Sequence, residues 1–592
     1  MAKWVLKGTK TDIKALAGET GLNPLLTHVL VNRGLATPGA LHRYVQASLD
    51  QLYDPLLMKD MAKGTELIGQ AIREGRSIAV FGDYDVDGVM STVILVKALQ
   101  KLGARVTYHI PDREAEGYGM SVGAVDRLVE KGVEVILTCD NGIAALEPIS
   151  HAKSLGLTVV VVDHHEVRFT EEAEGLRRTV LPEADAIVNP KQEDCPYPFK
   201  VLCAGGIAFK FISQLYVLMG RPREDAHEAL EFVALATVCD VVDLLDENRI
   251  LVRHGLEQLN QTNNPGLRAL IKVTGLEGKK LGAYHLGFIL GPCINASGRL
   301  EVADLAVELF LSEDDEEVRE IAAKLNDLNN QRREMTASGV EKVTSSASAL
   351  VDSKNKVLVI YESTIHESIA GIIAGKVKEK FNLPTIILTQ GREFSKGSGR
   401  SIERYNLFEE LMRCRDLLAA FGGHPLAAGL SLNEENIVAL RDRLNQNCQL
   451  TDDDVIPVVK IDKQLGLEHI SYSLADQLTL MEPFGKGNST PVFGARGVVV
   501  EKYYFVGKQQ NILKLACRVP GRQACLEAIS FDGGDRFRKL VEGLAGELVL
   551  DIVFSLGINE FGGKKTLQLQ LRDFRLAAGC ERTNCQPVEC TV

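Results

Sequence analysis

Between Arg76 and Asp163, three short runs rich in β-branched residues, Ile78–Phe81, Val133–Thr138 and Leu157–Val162, alternate with longer amphipathic stretches. Strand, turn and helix in repetition are the pattern of a mostly parallel sheet covered by helices. What ends each run is equally informative. The first is followed by Asp83, Asp85 and Asp87, the second by Asp140-Asn141-Gly142, and the third by Asp163-His164-His165. A segment over Glu228–Val238 reads as a buried helix and runs into Cys239-Asp240.

Carboxylates on alternate residues repel one another and stay ionised together only where a cation neutralises them. The spacing Asp83-x-Asp85-x-Asp87-Gly88 matches the first half of a calcium loop, but such a loop needs a bidentate Glu at its twelfth position and a helix before it. Here the twelfth position is Ile94 and the preceding run is a strand. One of the three aspartates can serve as a helix N-cap; three need more than capping. In open α/β sheets, ligands bind beyond the carboxyl ends of the strands. The acidic and histidine turns are therefore expected to meet in one cleft. A mixed carboxylate and imidazole set suits Mn²⁺ or Mg²⁺, and Fe or Zn less well. About five carboxylates and one or two histidines exceed the needs of one ion. Two ions ~3.5–4 Å apart, bridged by a shared Asp, fit better and point to hydrolysis at phosphorus.

The remainder of the chain sets the frame. A length of 592 residues implies roughly three or four domains. The net charge of −12 argues against a surface coated in basic residues, while leaving room for a local basic groove. No apolar run is long enough to span a membrane, the start MAKWVLKGTK lacks a signal-peptide core, and the cysteines are scattered, so a reduced, cytoplasmic protein is expected. Residues 1–52 read as a helical segment, and 53–311 as the catalytic α/β domain. A long connecting helix, capped by Ser312, is expected over 312–345. A second α/β domain occupies 346–452, with strand Val357–Tyr361, helix Ser368–Phe381, strand Thr385–Leu388 and a Gly-rich turn at Lys396–Ser401. Over 453–576 short strands (Pro491–Val500, Ile512–Val519, Leu548–Ser555, Thr566–Leu571) suggest a small OB-fold-like β-barrel. There Tyr503-Tyr504-Phe505 serve either as a stacking platform for bases or as core. The tail, 577–592, reads as disordered, and its Cys580, Cys585 and Cys590 make a weak zinc signal.

The motifs DYDVDG, TCDNGI, VVDHH and ATVCDVVDL resemble the four motifs of the DHH phosphoesterase superfamily. EGYG, AGGIAF and NASGR extend the likeness. KGSGRS and GGHPLAAGL resemble the associated DHHA1 domain, and INEFGGKKTLQLQLRDF the terminal OB-fold of the exonuclease branch, so that about Lys3 to Phe574 is covered. The resemblance implies a multidomain α/β chain. Its DHH-type parallel-sheet catalytic domain would be joined by a long helix to a DHHA1 domain and followed by an OB-fold-like β-barrel. It implies Asp85, Asp87, Asp140, His164 and Asp240 as ligands of two Mn²⁺ or Mg²⁺ ions, with Asp140 as the bridge and Asp83 either a further ligand or a shaper of the turn. His165 would face the scissile phosphate and Asp163 would orient a histidine. Ser398, Gly399 and Arg400 would form an anion pocket for a 5′ end, with Arg113 and Arg299 as candidates to join it and His424 near the strand backbone. Two departures stand out: Phe81 where some members place a His, and Gly291-Pro292-Cys293 where the family often reads Gly-Pro-Arg.

The activity so implied is a single-stranded-DNA-specific 5′→3′ exonuclease that releases 5′-mononucleotides by two-metal-ion hydrolysis and acts in DNA repair and recombination. Its partners would be single-stranded DNA, a single-strand-binding protein and a helicase, with no membrane. The alternatives are a phosphodiesterase acting on nano-RNA or cyclic dinucleotides, and a non-catalytic single-strand-binding relative. The extra barrel counts against the first. The concentration of carboxylates counts against the second, because a pure binder has no use for them beside phosphates.

Overall fold

The computed structural model describes residues 2–112, 116, 119–171, 177–544, 546–561 and 563–578. Arg113 and the three cysteines of the tail lie outside the described residues. The chain forms two compact units. One comprises Ser48–Val455 with Gly485–Gly487; the other joins the chain's start up to Ala47 with Ile456–Phe484 and the residues from Asn488 onward.

The first unit is built on a parallel five-stranded sheet in the order Arg105–His109, Ser77–Phe81, Val135–Cys139, Thr158–Val162, Ala186–Val188. Both faces are covered, which is why the strands read as continuous apolar runs. Ile78, Val80, Leu137, Val160 and Val162 enter one core, and Ala79, Phe81, Ile136, Val159 and Val161 the core on the opposite face. Strand order reverses between Ser77–Phe81 and its two neighbours, one entered next in the chain and the other after it. That is a topological switch point of the kind where ligands bind. Phe81 is fully buried against the His109 ring, with centroids 5.0 Å apart.

The long helix spans Asp315–Asp352, about 57 Å at ~1.5 Å per residue. Its N-cap is Asp314 rather than Ser312: the Asp314 carboxylate accepts from the amides of Glu316 and Glu317, while Ser312 accepts from the Asp314 amide. The helix is more than a spacer. Val318, Ile321, Leu325 and Leu328 belong to the core beneath the parallel sheet, and Val343 and Ala347 pack with Ile369 and Ile373 of helix Glu367–Phe381.

A second, mostly antiparallel sheet follows, in the order Ala420–His424, Ala427–Leu432, Ser395–Arg400, Thr385–Thr389, Leu358–Tyr361. The Gly-rich stretch expected as a turn is the central strand Ser395–Arg400, hydrogen-bonded on both edges. Its glycines are there for space. A Cβ at Gly397 would come within 2.5 Å of Leu388, and one at Gly399 within 2.5 Å of Leu407. The period of two then turns Ser398 and Arg400 to the opposite face.

In the other unit the N-terminal segment, expected to be all helical, opens with strand Lys3–Leu6, which pairs in parallel with Val458–Ile461. Lys7 Nζ reaches Asp462 at 2.9 Å. The contacts thus group these residues with the barrel rather than as a separate segment. Five strands close the barrel: Phe493–Val506, Ile512–Arg518, Cys525–Ser530, Lys564–Leu576 and Leu548–Phe561, the last pairing back onto the first. Tyr503 and Phe505 pack edge-on against the buried Phe537, yet Tyr503 and Tyr504 are both exposed. Among the described residues no helix is long and apolar enough to cross a membrane.

Candidate metal centre and substrate cavity

The acidic turns meet at the carboxyl ends of the three central strands. Asp85 caps helix Val86–Lys101, its carboxylate accepting from the Gly88 amide at 3.1 Å. Asp87 lies in the first turn of that helix and is fully buried, held by the amides of Ala204 and Gly205 at 2.7 and 2.8 Å. Those amides open helix Ala204–Leu218, so the positive end of its dipole faces the carboxylate. Asp140 follows strand Val135–Cys139 with φ of 63°, and Val241, next to Asp240, has φ of 58°. A left-handed β-branched residue is costly and persists where its surroundings over-determine it, as at functional sites. Asn141 ties two turns together: its amide donates to the carbonyls of Phe81, Gly82 and Cys139. This clamp was not foreseen from the sequence, although Asn141 sits inside the TCDNGI motif.

Three groups of candidate ligand atoms result: Asp83, Asp85 and Asp140; Asp87, His164 and Asp240; and Asp140, His164 and His165. Asp140 and His164 each belong to two of them. His164 Nε2 lies 3.0 Å from Asp140 and 3.7 Å from Asp87, and its Nδ1 lies 3.7 Å from Asp240. Burial, and then the charge of His165, push the His164 pKa down to about 3, so it is a neutral imidazole, the form that ligates metals. His165 is the opposite. Burial opposes its charge, but the 2.8 Å hydrogen bond and the charge of Asp163 prevail and lift it to about 9. Asp163 also accepts from the amides of Ile143, His164 and His165, and so is fixed on every side.

The other carboxylates crowd one another. Burial and the Asp85 charge push Asp83 and Asp87 up to about 7. Burial and the charges of Asp87 and Asp85 push Asp240 up to about 8, and Asp140 is raised well above the usual range by burial and then by Asp87. Asp83 Oδ1 and Asp240 Oδ2 are buried without a hydrogen-bond partner. Buried, mutually repelling acids with unpaired oxygens are the donor set of hard divalent cations, and they fit Mn²⁺ or Mg²⁺.

A cavity of 1510 Å³ lies within the same unit, and Arg299, Ser398 and Arg400 line it together. Arg400 donates to the Ser398 hydroxyl at 3.1 Å and to the Gly399 carbonyl at 2.8 Å. Arg299 donates to the Ser368 carbonyl at 2.6 Å. Gly399 itself faces Leu407 and Ile386, away from the cavity. His424 is exposed on the edge strand and is not among the lining residues. Cys293 is buried and receives a hydrogen bond from Asn329 at 3.3 Å, so position 293 offers the cavity nothing. Cationic lining comes instead from Arg332 and Arg333 of the long helix, which carry no local signal beyond helix propensity.

Comparison with known proteins places this architecture. The DHH family N-terminal domain matches residues 77–237, the DHHA1 domain 354–450 and the RecJ OB domain 461–573. The single-stranded-DNA-specific exonuclease RecJ of Bacillus subtilis is 37% identical over 579 residues, which is 96% of this chain and 70% of that protein. This chain belongs to the RecJ family. The RecJ of Escherichia coli is 31% identical over 573 residues, covering 93% of this chain and 95% of its own. The crystal structure of RecJ in complex with Mn²⁺ from Thermus thermophilus superposes with a TM-score of 0.81 at 26% identity, over 98% of this chain and 80% of that one. A Mg²⁺ complex of RecJ from the same organism superposes with a TM-score of 0.76 at 25% identity, over 97% of this chain and 78% of that one. The likeness spans the DHH, DHHA1 and RecJ OB domains.

Proposed function

We infer that this RecJ-family chain is a metal-dependent exonuclease that degrades single-stranded DNA from its 5′ end and releases 5′-mononucleotides, in DNA repair and recombination. The observation that carries the reading is the sharing of Asp140 and His164 between adjoining ligand groups, which is what a two-ion site requires. Asp83, Asp85 and Asp140 would hold one Mn²⁺ or Mg²⁺, and Asp87, His164 and Asp240 the other, with Asp140, 3.0 Å from His164, available to both. Ions held there would supply water activation and charge stabilisation for an in-line displacement on phosphorus. His165, kept protonated by Asp163, faces the scissile phosphate, where it offsets the growing charge and donates a proton to the leaving 3′ oxygen. Ser398, Arg299 and Arg400 receive the 5′ end, and residues 346–452 act as the substrate-binding domain beside a catalytic domain over 53–311. Release of a mononucleotide from the 5′ side breaks the P–O3′ bond of the first nucleotide and leaves a new 5′ phosphate for the same pocket.

An enzyme confined to single strands needs its duplex opened first, which gives a helicase and a single-strand-binding protein natural places beside it in the cytoplasm. The decisive assay incubates 5′- and 3′-labelled single strands, a duplex and a dinucleotide with the protein in Mn²⁺ or EDTA. Mononucleotides are expected only from the 5′ end of the single strand and only with metal. Preference for the dinucleotide, or binding without cleavage, overturns the reading.

A further inference from the structure

The segment from Tyr284 to Arg299 has two faces with different surroundings. One is packed onto the loops of the metal centre. A Cβ at Gly298 would stand 2.6 Å from the carbonyl oxygen of Tyr84, between Asp83 and Asp85, and one at Gly291 would stand 2.4 Å from Sγ of Cys239, next to Asp240. The Cys239 thiol lies 3.6 Å from the Leu286 carbonyl. The other face is open: Phe288, Pro292 and Arg299 line the cavity. Phe288 is 72% exposed, the highest value for a large apolar side chain among the described residues, and Tyr284 is 65% exposed. Their rings stack with centroids 5.0 Å apart and planes 25° from parallel. Leu286 and Leu290 take the buried positions of the same turn, so the aromatic pair is not part of the core. That turn, Leu286–Leu290, is π-helical, a rare geometry that gathers at functional sites.

The long helix supplies charge to the same cavity. Arg332 donates through Nε and Nη2 to the Asn329 side chain at 3.2 and 2.9 Å, and Asn329 in turn donates to Cys293. No carboxylate forms an ion pair with Arg332 or Arg333 among the described residues, although Glu334, Glu367 and Glu379 also line the cavity. A guanidinium fixed by a neutral amide keeps its charge for a ligand.

We propose that Phe288 and Arg332 form one nucleotide subsite on the path to the metal centre. A base stacks on Phe288, backed by Tyr284, and a backbone phosphate meets Arg332. Such a platform accepts any base, because every base has a π-face. The subsite rests on the exonuclease reading above and adds to it the wall along which the strand approaches.

The test is binding of single-stranded oligonucleotides carrying 2-aminopurine at successive positions, in EDTA so that no cleavage occurs, with metal-dependent 5′ release measured in parallel. In the wild type, fluorescence should be quenched at one position. Phe288→Ala should abolish that quench and weaken binding about 5- to 150-fold, as loss of one stacked base does, while Phe288→Trp should keep both. Arg332→Gln should reduce the slope of log affinity against log salt by about 0.7, the value for one single-strand phosphate contact. If the wild type binds and digests single strands but Phe288→Ala shows the same quench and affinity, the subsite is wrong and the exonuclease reading stands. If the wild type neither binds nor digests single strands, the exonuclease reading fails first and takes the subsite with it.

Discussion

The metal centre and the cavity beside it are built on opposite physical terms. The centre is buried and rigid. Asp87, Asp140 and Asp163 are almost fully enclosed; backbone amides hold Asp87 and Asp163, while Asp140 lies 3.0 Å from His164 among carboxylates that repel it. The cavity is open, and its guanidinium groups are steadied by neutral partners such as Ser398 and Asn329. The first arrangement is costly without its ligand and has one use. The second is adaptable, as a site for a flexible charged strand should be. Chemistry is therefore expected to fail abruptly when the centre is altered, and binding to decline gradually when the cavity is.

The sharpest break should come from Asp140→Ala. It removes the residue shared by two ligand groups, and the loss of turnover should exceed the ~10²–10³ that removal of a single charge-stabilising donor costs. Folding should survive, because the substitution also relieves repulsion from Asp87, Asp85 and Asp83. Wild-type digestion by the purified variant would refute the site. Asp163→Asn comes next. The centre keeps its metal-facing carboxylates but loses the anion that keeps His165 charged. Turnover should fall ~10–100-fold, as when an outer-shell partner is lost. The alkaline limb of the pH–rate profile, set by a group titrating near 9, should move toward neutrality. An unmoved limb would remove His165 from the reaction.

The same contrast decides what could be read without a structure. A parallel sheet brings the ends of consecutive strands together, so Asp83, Asp85, Asp87, Asp140, Asp163 and His164 are legible as one site from local motifs. The barrel is legible through its short strands, except Cys525–Ser530, whose sequence CLEAIS has Ile529 as its one β-branched residue and so lacks the strand signature. The cavity is different. Phe288 and Arg332 lie 44 positions apart on different helices, and each alone looks like ordinary helix sequence. Lys396–Ser401 misled for a related reason: glycines required by the packing of Leu388 and Leu407 read as a turn. Local spacing reveals a site made at strand ends, but not one assembled from surfaces.

On the cavity side, Arg400→Gln should raise the KM for 5′-phosphorylated strands with little change in kcat. A lost hydrogen bond to a charged group is worth about 1.5–3 kcal/mol, or ~10–150-fold. Strands ending in a 5′ hydroxyl should lose less. Arg400→Lys should recover part of the affinity, since an ammonium supplies charge without the planar fork. Equal losses on both kinds of end would show that Arg400 contacts the strand away from its terminus.

The smallest effect expected is on stability, and it returns to the centre. Asp83 and Asp87 titrate near 7 and Asp240 near 8 in the folded protein, against ~3.9 when unfolded. Between those values the folded state holds more protons than the unfolded one, so stability falls as pH rises. The contribution is complete below ~4 and is lost as pH passes through 7 to 8. His165, raised to about 9, adds a loss of the same sign at higher pH. EDTA-treated protein should therefore melt at a lower temperature at about pH 8 than at about pH 5.5. Mn²⁺ should restore the difference most strongly at the higher pH, because its ligands must be deprotonated to bind. A metal-free protein whose melting temperature ignores pH over this range, and ignores Mn²⁺, would mean that the crowded carboxylates are not the cation site their geometry indicates.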